Sequence, residues 1–332
     1  MPSSNPKQVI LGAELARIHG ISDNDHYYLG CVQDQMEPEF HAITSALIPA
    51  DGVCVDIGAN IGIKTFIMAQ QAKNGIVLSI EAGRHVFEVL CMNIKNNQLE
   101  NVLPVHAAVT DKTSTVHFVE NSAWGHMMTD DDTMECTDVP GVTMDYLLDK
   151  HLKEYQRISF VKIDTEGHEY QILKNVTPVL TQWNPWIYFE LNCLGLFALG
   201  DVNPKEMLKW VFANFNYVFR VEKNAINADS AFLRQVDSKE ILTLLYENVV
   251  LNGTVDDFLV TNRKSALQEI HHLLLSPPYP SPTSLMTKEV QMLQQELQKT
   301  QILLDETRQS RSWRWSAPLR TIMRLLRKDC NR

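Results

Sequence analysis

Between residues 55 and 62 the chain reads Val55-Asp56-Ile57-Gly58-Ala59-Asn60-Ile61-Gly62, and Glu81 follows nineteen residues past Gly62. Glycines at 58 and 62 let the backbone turn sharply and leave room for a ligand at a helix N-terminus. The spacing is not the G-x-G-x-x-G of dinucleotide sites. Asn60 stands where a second glycine would admit a pyrophosphate, which weighs against NAD. A carboxylate at the mouth of the loop, Asp56, repels pyrophosphate but pairs with an ammonium group. Glu81, at the end of the next strand, is placed to accept hydrogen bonds from ribose hydroxyls. A ligand with a ribose, an amine and no phosphate describes S-adenosylmethionine. Its expected contacts are Asp56, Gly58, Ala59, Asn60, Gly62 and Glu81.

A second cluster runs Lys162-Ile163-Asp164-Thr165-Glu166-Gly167-His168-Glu169, with Glu190 further on. A hydroxyl that attacks a methyl group must shed its proton, and a carboxylate at a strand end can take it. Asp164, Glu166 and Glu190 are the candidates for that work. Asp164, Glu166 and Glu169 could instead hold a divalent cation that acidifies a sugar diol. The spacing leaves base and metal ligand open, and acidic residues at a helix start also stabilise its dipole.

These residues need strands and helices to aim them, and the pattern supplies both. Val53–Asp56, Ile76–Ile80, Val102–Val105, Ile158–Ile163, Trp186–Glu190, Tyr217–Val221 and Phe258–Val260 read as strands, with Thr115–Val119 a further β segment. Ile61–Ala72, Arg84–Asn97, a stretch from Gly167 and Pro204–Phe215 read as helices between them. The alternation predicts an α/β fold with a Rossmann-like, doubly wound, mostly parallel sheet. In such sheets ligands lie beyond the C-terminal strand ends where strand order reverses. The expected division is an N-terminal helical cap region over 1–50, with a helix at Pro38–Leu47, and the catalytic domain over 51–275. A proline-rich linker follows over 276–284, then a C-terminal helical coiled-coil extension with a basic amphipathic tail over 285–332.

Three stretches resemble one family: V-D-I-G-A-N-I-G, then Ile80-Glu81-Ala82 with Asn93, then K-I-D-T-E-G-H-E from Lys162. Together they look like the FkbM family of S-adenosylmethionine-dependent methyltransferases over about residues 51–192. The K-I-D-x-E-G-x-E block is the most specific part, and Tyr188-Phe189-Glu190 after Pro185 resembles the family's next strand. The resemblance implies O-methylation of a hydroxyl on a sugar or natural product and adds Asn93 to the cofactor set. Ala82-Gly83 replace the proline that often follows the ribose-binding glutamate, and His168 stands where the family has a small residue. The tail, with its S-x-S-W-R-W-S-x-P-L-R stretch, resembles segments appended to bacterial enzymes of cell-surface polysaccharide assembly, including glycosyltransferases.

Composition sets the remaining bounds. The 332 residues are 45% hydrophobic and 21% charged with a net charge of -10, which excludes wholesale disorder. Ten basic and five acidic residues from 285 to 332 give the tail +5, so 1–284 carry -15, which disfavours a specific nucleic-acid partner. Ser276-Pro277-Pro278-Tyr279 mimics the box of amino-methylating nucleic-acid enzymes but lies in the linker, far from the strand ends. Met286, Val290, Leu293, Leu297, Thr300, Leu304 and Thr307 recur at 4, 3 spacing, an a/d seam that needs a coiled-coil partner or a second copy of the chain. The basic helix beyond it suits an anionic membrane surface. The six scattered cysteines and the absence of an apolar leader point to a cytoplasmic protein, peripheral at the inner face of the membrane if the tail docks there. The expectation is a methyltransferase acting on a sugar or glycan hydroxyl. The alternative is a non-catalytic adaptor that keeps the fold and binds partners through its tail.

Overall fold

The structure is a computed structural model, and it describes residues 2–3, 5–22, 35–120, 125–128, 135–154, 157–222, 232–253 and 255–275. Met1–Pro277 form one compact unit. The expected linker, coiled coil and basic tail lie outside the described residues.

An antiparallel hairpin of β1 (Lys7–Leu11) and β2 (Glu14–Ile18) comes first, and β3 (Gln35–Met36) adds to β1 in parallel. Helix α1 (Pro38–Leu47) spans the residues expected of it. Then come β4 (Val53–Ile57), α2 (Ile63–Gln71), β5 (Ile76–Glu81), α3 (Arg84–Asn96) and β6 (Val102–His106). A side sheet of β7 (Ala108–Val109), β8 (Ser114–Val119), β9 (His126–Met127) and β10 (Cys136–Val142) is inserted next. The main sheet resumes through α4 (Met144–His151), β11 (Ile158–Ile163), α5 (Glu169–Leu180), β12 (Trp186–Asn192), α6 (Cys193–Ala198) and α7 (Pro204–Asn214). It closes with β13 (Tyr217–Val221), β14 (Leu233–Gln235), α8 (Ile241–Tyr246) and β15 (Val255–Thr261).

The eight-stranded sheet runs β14-β13-β15-β12-β11-β4-β5-β6. Strands β6, β5, β4, β11 and β12 are mutually parallel, while β15 lies antiparallel between β12 and β13. Every residue of β4 and β11 is buried, as parallel strands covered on both faces require. One face packs Val55, Ile57, Val161 and Ile163 under Leu147, Leu173, Val176 and Leu208 of the helices that follow. The other packs Cys54, Phe160, Trp186 and Tyr188 against Val9, Phe40, Ile43 and Ile67. The fold is thus the expected Rossmann-like α/β architecture. The chain leaves β4 for β5 and β6 on one side and returns to β11 on the other, so strand order reverses between β4 and β11. That is where such sheets bind ligands.

Two features add to the sequence reading. Thr115–Val119, read as a further β segment, is a strand of the side sheet. The first fifty residues, expected as helical, also hold the β1–β2 hairpin, in which only alternate residues are buried.

Candidate active site

At the β4–α2 turn Gly58 has φ 78° and Gly62 φ 99°, and Asn60 also takes a left-handed conformation. A Cβ on Gly58 would lie 1.8 Å from the carbonyl oxygen of Asp164, so only glycine permits this approach of the two strand ends. The loop is strung across the end of β5: the Gly58 and Ala59 N–H groups donate to Ile80 O at 3.0 and 2.9 Å. Glu81 Oε2 accepts from Asn60 N at 2.8 Å, and Oε1 accepts from Gly83 N at 2.7 Å. Burial pushes the Glu81 carboxyl up, against the pull of those two amides. Each oxygen retains a lone pair for a further donor.

A cleft of ≈ 980 Å³, counted out to its open mouth, lies over this edge. One end is apolar, walled by Ile80, Val86, Ala108, Phe118 and Met127. Glu81 stands beside Gly58 and Asn60, and Asp164, Glu166, His168 and Glu190 line the cleft as well. The side sheet thus supplies a wall of the cleft, a role that sequence spacing did not reveal.

Asp56 is the main correction. It is fully buried and does not line the cleft. Its Oδ1 lies 3.2 Å from Lys162 Nζ, and its Oδ2 accepts from Thr65 Oγ1 at 2.6 Å. The internal ammonium of Lys162 occupies the partner position expected of the ligand's amine. Sheet register explains this, because Asp56 lies opposite Ser79 on one side and Lys162 on the other, with Tyr188 beyond Lys162. A buried polar row therefore crosses four strands, and Lys162 also donates to Gly58 O at 2.5 Å. Asn93 likewise faces away from the cleft. It accepts from His19 N at 2.8 Å and donates to His19 O and Ile61 O, bracketing β2 to the glycine turn. Ala59 and Gly62 shape the turn without lining the cleft.

At the acidic end, Asp164 Oδ2 lies 3.4 Å from Lys64 Nζ and 3.5 Å from Lys162 Nζ. Burial works against ionisation, yet Lys162 and Lys64 outweigh it and hold the Asp164 carboxyl at about 2. Glu166 forms no ion pair among the described residues, and the same two lysines pull on it only weakly. Burial, then Asp164 and Glu169, push it up to about 8. Glu190 is driven well above the ordinary carboxylate range by burial and by Asp164, Glu166 and Asp257, the last opposite it on β15. Asp164, Glu166 and Glu190 each bring a carboxylate oxygen within 4.8 Å of the others, so among the described residues this trio is the set with cation-binding geometry. Glu169 is not part of it. Its carboxylate is fully buried and accepts from Thr165 N, Thr165 Oγ1 and Gly167 N, closing the turn into α5. His168 lines the cleft with its imidazole pushed down to about 4 by burial and by nearby His126, so it is neutral at pH 7.

Lys64, Glu37 and Asp257 were not singled out from sequence, since nothing local marks them. Each approaches the site only through the folded sheet.

Sheet order, glycine turn and acidic strand ends define a Rossmann-like methyltransferase of the class I type. Residues 56–221, half of the chain, match the methyltransferase FkbM domain, and the chain belongs to that family of methyltransferases. Among solved structures, an O-methyltransferase from Bacillus cereus in complex with SAH is 13% identical, with 68% of this chain and 78% of that chain covered at a TM-score of 0.39. M. jannaschii TYW2 in complex with AdoMet is 17% identical over 74% and 80% of the two chains, with a TM-score of 0.36. The precorrin-6y C5,15-methyltransferase of Geobacter metallireducens is 13% identical over 68% and 88%, also at 0.36. No curated protein matches the chain. Among the described residues no helix is long and apolar enough to cross a membrane.

Proposed function

We propose that the protein is an S-adenosylmethionine-dependent O-methyltransferase acting on a hydroxyl of a sugar in a surface polysaccharide or glycoconjugate. One observation carries this: a single cleft combines an apolar wall, a strand-end glutamate beside a glycine turn, and three carboxylates. The apolar wall suits a flat base, Glu81 suits a ribose diol, and the acidic end suits a cationic amino acid. What the cofactor supplies when bound is a methyl group on a positively charged sulfur, whose transfer to a hydroxyl leaves a neutral thioether and one proton.

The chain's own residues take the remaining tasks. Asp164, kept ionised by two lysines, faces the ammonium of the cofactor in place of Asp56. Glu166 and Glu190 form no ion pair with a lysine among the described residues, and the hydroxyl, with one proton to give, passes it to Glu166 beside Glu190. A carboxylate whose pKa lies near 8 is a stronger base than an ordinary one while still partly ionised at neutral pH. The sugar assignment draws on the family and on the tail's resemblance to polysaccharide-assembly segments. Carboxylate acceptors at the mouth also suit a polyhydroxyl substrate.

Calorimetric titration with S-adenosylmethionine, beside Glu81→Ala and an NAD control, is the first test. Micromolar binding lost in the variant and absent for NAD is expected; no heat from folded protein would sink the proposal. Labelled methyl transfer to nucleotide-sugars and oligosaccharides then addresses the acceptor. A second reading places a divalent cation among Asp164, Glu166 and Glu190, favoured by their convergent oxygens. In that case chelation abolishes turnover and added Mg²⁺ restores it.

A further inference from the structure

Lys64 sits in the first turn of α2, and its side chain is 15% exposed. Its Nζ lies 3.4 Å from Asp164 Oδ2 and 3.6 Å from Glu37 Oε1, and 5.9 Å from the ring centroids of both Phe40 and Tyr188. With Lys162 it completes a chain of alternating charge: Asp56, Lys162, Asp164, Lys64, Glu37. The chain joins β4, β11 and α2 to the residue that precedes α1. Both lysines approach the same oxygen of Asp164, Oδ2. No described residue hydrogen-bonds Oδ1, and Asp164 lines the cleft. Lys64 does not line it. Glu37 holds its position at φ 54°, a left-handed conformation that costs a non-glycine residue about 1 kcal/mol or more and needs surrounding contacts to persist.

We infer that Lys64 is a positioning residue: braced by Glu37 and by the two aromatic rings, it fixes Asp164 so that the free oxygen meets the ammonium group of the cofactor. The inference rests on the S-adenosylmethionine reading above. It makes Glu37 and Phe40, at the start of α1, supports of the cofactor site, although neither lines the cleft. A cation held between two carboxylates and two ring faces has little freedom to move. The carboxylate it pins is therefore presented in one orientation before any ligand arrives.

The test compares S-adenosylmethionine with 5′-methylthioadenosine, which keeps the base and ribose but lacks the amino acid. Both are titrated into wild type, Lys64→Met, Lys64→Arg and Glu37→Gln of the full chain. Lys64→Met is expected to weaken S-adenosylmethionine by about tenfold while leaving 5′-methylthioadenosine within about twofold, as loss of one oriented charge contact requires. Lys64→Arg, which keeps the cation, is expected to recover most of the loss. Glu37→Gln is expected to show the same selectivity at smaller size, and it carries the test if Lys64→Met does not fold. Parallel loss of both ligands would mean a merely structural role and would overturn the inference. So would unchanged or tighter S-adenosylmethionine binding in Lys64→Met. A wild type that binds neither ligand instead removes the cofactor reading itself.

Discussion

Three of the site's carboxylates show how neighbours divide roles between like groups. Asp164, Glu166 and Glu190 converge within 4.8 Å, yet among the described residues only Asp164 forms ion pairs with lysines. As a base, Glu166 must be ionised, so the methyl-transfer rate should fall as pH drops through about 8 and level off above it. A pH–rate profile of wild type against Glu166→Gln checks this: the variant should lose the limb and most of the rate. Asp164 has the opposite sign. Its folded value near 2 lies below its ordinary 3.8, so its ionisation stabilises the fold above 3.8 and that contribution vanishes as pH falls toward 2. Gly58→Ala should cost roughly 3 kcal/mol in urea unfolding, since the added Cβ meets the Asp164 carbonyl and a φ of 78° suits glycine alone. At this scale the sequence was readable where chemistry is local. The glycine turn and Glu81 stand where the pattern put them. Asp56 does not stand in the cleft, because its partner Lys162, 106 residues away, becomes a neighbour through strand register.

The elements divide by what they support. Strands β4, β5, β11 and β12 deliver the site from their C-terminal ends, and their unbroken apolar runs made them legible. The β1–β2 hairpin was not legible, because its short strands bury only alternate residues and it joins the molecule through the apolar faces of α1 and α2 and through side chains such as Gln70 of α2 and Asn93 of α3. Asn93 is the main bracket, holding His19 through both backbone groups and Ile61 through its carbonyl. Asn93→Ala should therefore destabilise the protein by about 3 kcal/mol, because buried backbone groups lose their partners. Urea denaturation measures that loss. Binding of S-adenosylmethionine to the folded variant should be little changed, in contrast to Glu81→Ala. The result would separate a structural asparagine from a cofactor ligand, the role that family resemblance implied for it. The side sheet makes the converse point. It reads as one isolated strand in sequence, yet it supplies Phe118 and Met127 to the cleft.

On the scale of the molecule, Met1–Pro277 is compact in its own right. A protein ended at residue 277 should unfold in a single cooperative transition, with a melting temperature within a few degrees of the full chain. Circular dichroism on both would show it, and loss of the transition would mean that the remaining residues are needed for folding. The strand order carries a further consequence, for the order of events during synthesis. β15 is the last of the described strands to be made, yet it lies between β12 and β13, and it brings Asp257 opposite Glu190. A ribosome that has released everything up to β13 has produced the glycine turn, Glu81 and all three site carboxylates, but β12 still presents an unpaired edge. The sheet cannot close until residue 261 has emerged, so the growing chain passes most of its synthesis exposed to chaperones and to misassociation. The candidate cleft is thus lined early in synthesis and backed late, when Asp257 arrives opposite Glu190.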